Sequence, residues 1–65
     1  MTQKGYMLIK LLKTVNIYLW AETREELEEE LTYMGRKAKG CMIVPYYKDG
    51  TKAFLRVDDK LLRIN

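Results

Sequence analysis

Cys41 is the one thiol in the chain, and the sequence contains no histidine and no serine. Serine nucleophiles, histidine acid–base chemistry and a cysteine–histidine pair are therefore all excluded. A single cysteine forms no intrachain disulfide, and without histidine a zinc site of the usual kind has too few ligands. Carboxylates, lysines, tyrosines and one thiol remain. Nothing in the chain completes redox or nucleophilic chemistry around Cys41, so a structural placement is expected for it. With 65 residues there is little room for a deep pocket. The expectation is a protein that is not an enzyme and that uses no metal and no cofactor.

Two charged clusters come next. Gly35-Arg36-Lys37-Ala38-Lys39-Gly40 resembles half of a phosphate loop, but Cys41-Met42 stands where Lys-Ser/Thr is required. The segment also follows a predicted helix when it should precede one. Its cations are better read as balancing the negative end of the helix dipole, with non-specific phosphate contact as the alternative. Residues 22–30 carry six glutamates against Arg24, a local charge of −5, while the rest of the chain is +8, for a net +3. None of these glutamates has a Lys or Arg four residues on, so the band reads as locally unneutralised. Acid residues suit a helix N-terminus and a solvated face. The same band also leaves an acidic partner patch at Glu25, Glu28 and Glu29, open to a cation, a basic partner or the basic body of a second copy.

The third constellation is Val44-Pro-Tyr-Tyr-Lys-Asp-Gly-Thr-Lys-Ala-Phe-Leu-Arg-Val57. Asp49-Gly50 is a turn dipeptide between two runs of strand formers, so a hairpin is predicted. With Asp49-Gly50 as the loop, Tyr47 opposes Lys52, Tyr46 opposes Ala53 and Pro45 opposes Phe54. One face then holds Met42, Val44, Tyr46, Ala53, Leu55 and Val57, an ordinary core face for a helix to cover. The other holds Ile43, Pro45, Tyr47, Lys52, Phe54 and Arg56, a second apolar face mixed with positive charge.

The elements that must position these groups follow from periodicity. Residues 6–20 alternate, with Met7, Ile9, Leu11, Val15, Ile17 and Leu19 on one side. A single strand of that length would span roughly 50 Å, so a turn near Lys13-Thr14 is expected. The opposite side holds Tyr6, Leu8, Lys10, Leu12, Tyr18 and Trp20. Thr23-Arg24-Glu25-Glu26 is a capping box. The helix it starts runs over about 23–35, with Leu27, Leu31 and Met34 on one face and Gly35 as its stop. Strands follow at 41–47 and 51–57, and Asp58-Asp59 allow a turn into a short final strand. Pro45 lacks an N–H, which places 41–47 at a sheet edge and 51–57 inside. The order β-β-α-β-β-(β) describes one two-layer α+β domain over 1–65: an antiparallel sheet of four to five short strands with one helix across a face.

One helix covers one side of a sheet, so the other side should expose Tyr18, Trp20, Ile43, Tyr47, Lys52, Phe54 and Arg56. Three readings compete. Trp, Tyr, Phe and Arg are enriched at interfaces, which makes the face a site for a protein partner or for self-association into a homodimer. Aromatic rings with neighbouring cations can also stack bases and contact phosphates, which makes it a single-stranded nucleic-acid platform, although no recognised motif accompanies it. Or the N-terminal register is off by one residue, or the chain folds back over this face, and these residues are simply core. The apolar N-terminal run is broken by Lys10 and Lys13, too much for a signal-peptide core or a membrane span, so a reducing cytoplasm is expected. The expectation is a small cytoplasmic binding module of accessory or regulatory type, of the sort phages and mobile elements carry, acting by protein–protein interaction.

Overall fold

The computed structural model describes residues 1–65. Strands β1 (Thr2–Leu11) and β2 (Val15–Ala21) precede helix α1 (Arg24–Met34); β3 (Cys41–Asp49), β4 (Lys52–Val57) and β5 (Lys60–Arg63) follow. The five strands form one antiparallel sheet in the order β2-β1-β3-β4-β5. This is the α+β architecture that the alternation, the capping box and the turn residues predict.

The local chemistry holds at each end of the helix. The Thr23 hydroxyl accepts from the Glu26 N–H at 3.4 Å and donates to the Glu26 carboxylate at 3.1 Å. The carboxylate thus meets the hydroxyl of Thr23, where the capping box anticipates its backbone N–H. At the other end Gly35, at φ +58°, stops the helix and opens a single 3₁₀ turn. Leu27 is fully buried, and Leu31 and Met34 pack beside it. The helix is held to β3 by Arg24, whose Nη1 donates to the Ile43 carbonyl at 3.4 Å.

The helix lies on the face opposite to the one expected. Leu27, Leu31 and Met34 pack with Tyr6, Leu8, Ala21, Cys41 and Ile43, which brings in the even positions of β1 and the odd positions of β3. The predicted core residues of the hairpin do form a core, but on the far face. Ile9, Val44, Leu55 and Val57 are buried there, with Met7, Val15, Met42, Tyr46, Leu62 and Ile64 around them. No helix covers that side, yet Ile9 and Leu55 are 0% exposed. The strands themselves must therefore curl over them, making this the concave face. The inner strand β1 is buried on both sides, at Leu8 and at Ile9. A strand apolar on both faces does not say which one the helix takes.

Two irregularities shape the sheet. Gln3 faces Tyr47 while Tyr6 faces Pro45, so Lys4 and Gly5 both stand against Tyr46. This bulge explains Pro45. A proline in a sheet belongs at an edge or at a bulge, and β3 is an inner strand, flanked by β1 and β4. Pro45 therefore marks a bulge, and the expected edge position is corrected. The second bulge is in β2: Leu8 faces Leu19 and Ile9 faces Ile17, leaving Tyr18 as the extra residue.

The β3–β4 hairpin also differs from expectation. Asp49 pairs with Lys52, Lys48 with Ala53, Tyr47 with Phe54 and Tyr46 with Leu55, so Gly50 and Thr51 form the loop. The pairing is displaced by two residues from the expected one. Gly50 has φ +63°, and glycine at the first loop position suits a two-residue hairpin. A displacement of two keeps every side chain on its face, so the predicted faces survive. The last turn is built by Asp58 and Asp59, at φ +49° and +65°, between the paired residues Val57 and Lys60.

Candidate interaction surfaces

The seven residues expected on one outer face occupy three places. Ile43 is half-buried in the cluster beneath the helix, which removes it from any exposed face. Tyr18 and Trp20 stand on β2, at one edge of the sheet. Tyr47, Lys52, Phe54 and Arg56 do come together, on the helix side of β3 and β4. Leu8 and Tyr6, also assigned to the outer face, lie under the helix with Ile43. These residues are core, as the third reading has it, because the helix lies over this face; the strands have not slipped, since Leu8 still faces Ile43.

The Tyr47 group sits beside the helix, which packs on β1, β2 and β3. Tyr47 and Phe54 are half-buried and directly opposite each other, with Lys52 and Arg56 exposed around them. The Arg56 guanidinium carbon lies 5.9 Å from the centre of the Tyr47 ring, within cation–π range. The register adds Arg63 opposite Phe54 and Leu61 opposite Arg56. Sequence reasoning misses these two, because it predicts the short final strand without its register.

The β2 edge has a different character. Ile17, Tyr18, Leu19 and Trp20 are 45%, 49%, 42% and 46% exposed. Their partners on β1 place Ile17 and Trp20 on the concave side and Leu19 on the helix side, so the strand is apolar on both faces. The Trp20 indole N–H donates to the Lys4 carbonyl at 2.7 Å. The ring is thereby tied to the β1 bulge across Gly5. Ile17 and Leu19, expected in the core, are exposed because β2 is an edge strand. Strand order is not written in the alternation of a single strand.

The acidic patch is exposed on the helix: Glu25, Glu28 and Glu29 all face solvent. Glu28 is not unneutralised as expected, because Arg24, four residues before it, pairs with it at 3.3 Å. Both partners are at least half exposed, so the pair contributes little to stability. Cys41 is half-buried under the helix end, its thiol directed at the Lys37 carbonyl at 3.6 Å. The surface has no pocket, and no helix is long and apolar enough to cross a membrane. The chain matches no protein-family model, no curated protein and no solved structure.

Proposed function

We propose that this chain is a small, non-catalytic binding module that works by protein–protein interaction and associates with itself. The observation that supports this most is the β2 edge: four successive large side chains, each 42–49% exposed, on a strand with no charge and no proline. Exposed apolar strands of this kind are templates for pairing with another chain. Only eight of 65 residues are buried, so covering more apolar surface by association would add stability that a domain this small lacks. The non-catalytic part rests on the residue inventory, and the single cysteine fits an accessory or regulatory role in a reducing cytoplasm. Light scattering in low and high salt tests the reading. A dimer that persists in both is expected; a monomer in both would overturn it.

A second reading is favoured by one observation, the Tyr47–Phe54 pair surrounded by Lys52, Arg56 and Arg63. Two rings on adjacent strands suit stacked bases, and the three cations suit phosphates. Binding of a labelled single-stranded oligonucleotide would then weaken with salt at a log–log slope of about −2, for three phosphates. Phe54→Ala would abolish it. No binding at low salt would remove this reading.

A further inference from the structure

We infer that the β2 edge is covered by β2 of a second copy, antiparallel, in one register: Val15 opposite Trp20, Asn16 opposite Leu19 and Ile17 opposite Tyr18. This rests on the self-association proposed above and names its surface and geometry.

The two edges of the sheet are unequal. The β5 edge is four residues long and carries Lys60 and Arg63; short length and charge are both devices that discourage strand addition. The β2 edge is seven residues long and carries no charge.

The bulge then restricts what can pair. Val15, Ile17 and Trp20 share the concave side, and Asn16, Leu19 and Ala21 share the helix side, with Tyr18 between them. The alternation therefore changes phase at Tyr18. A regular strand laid along this edge matches faces on one side of Tyr18 and mismatches them on the other. An antiparallel second copy carries the same change of phase and can match throughout. It does so only about a two-fold axis beside Tyr18, since other registers set concave-side residues against helix-side ones.

Two such axes exist, one on each side of Tyr18, and charge separates them. Centring between Tyr18 and Leu19 brings Lys13, in the β1–β2 turn, towards Arg24, the first residue of α1, at both ends. Centring between Ile17 and Tyr18 instead brings Lys13 towards Glu22, just past the end of β2, at both ends. Both axes set Trp20 against a β-branched residue, Val15 in this one and Ile17 in the other. Opposite charges are favourable cross-strand neighbours, and like charges are not. The second axis is the one inferred. By symmetry every such contact occurs twice in the dimer.

Sedimentation or light scattering across a concentration series, at low salt, tests this with Lys13→Glu, Glu22→Lys, the double exchange, and Ile17→Lys. Each single reversal places like charges together at both ends and should raise the dimer Kd about tenfold. The double exchange should restore it. Ile17→Lys should leave a folded monomer, with far-UV circular dichroism and thermal melting confirming the fold. If the native chain is monomeric throughout, the self-association reading fails and this inference with it. If it is a dimer that ignores Ile17→Lys and the charge reversals, self-association stands and the edge pairing is overturned.

Discussion

Gly5→Ala is expected to be among the most damaging single-methyl changes in the chain. Gly5 has φ +102°, a region that L side chains rarely enter. A Cβ there would lie 2.4 Å from the Ala21 carbonyl oxygen and 3.0 Å from the Trp20 indole nitrogen. The first contact is with backbone in the β1–β2 ladder and has no rotamer to escape by. Strained φ/ψ costs about 1–3 kcal/mol and forced overpacking about 1–3 kcal/mol. The stiffer unfolded chain returns about 0.4–1 kcal/mol. The net loss is roughly 3 kcal/mol, against a total of about 3–5 kcal/mol for a core of this size. Gly50 supplies the control: its φ is also positive, at +63°, but no atom lies within 4 Å of its Cβ position. Gly50→Ala should lose only the backbone contribution, about 1–2 kcal/mol. Urea denaturation followed by Trp20 fluorescence and circular dichroism measures both. If Gly5→Ala loses no more than Gly50→Ala, the close approach of Gly5 to Ala21 and Trp20 is not a real constraint.

Leu27 is the one fully buried residue of the helix, so Leu27→Ala should cost about 2–5 kcal/mol and detach α1; chemical denaturation would show a collapsed midpoint. Thr23→Ala removes the hydroxyl that accepts from the Glu26 N–H and should cost about 1 kcal/mol, read from the same denaturation curves. Asp59→Gly should instead stabilise by about 1 kcal/mol, because a left-handed φ of +65° suits glycine better than aspartate; a lowered melting temperature would contradict it.

The elements are legible in the sequence because each depends on local chemistry. Thr23 and Glu26 start the helix, Gly35 ends it, and Asp58 and Asp59 turn the last hairpin. The face taken by the helix is not legible, because Leu8 and Ile9 are both apolar and both end up buried. The hairpin offset escapes sequence reasoning because Gly50 can serve as either residue of a two-residue loop. Tyr47, Lys52, Phe54 and Arg56 still come together, since a slip of two residues leaves faces unchanged. Tyr18 and Trp20 do not join them, because β2 lies at the far edge of the sheet and its bulge at Tyr18 turns Trp20 to the other face, neither of which local sequence encodes. Pro45 misleads for a physical reason: the Lys4–Gly5 bulge supplies the tolerance that an edge would otherwise supply.

The most direct test of the β2 edge is amide hydrogen exchange measured across a range of protein concentrations. Pairing between copies predicts that protection within Val15–Ala21 rises with concentration, while the β5 edge at Lys60–Arg63 stays unchanged. Exchange in β2 that is independent of concentration, in samples where light scattering shows a dimer, would contradict it.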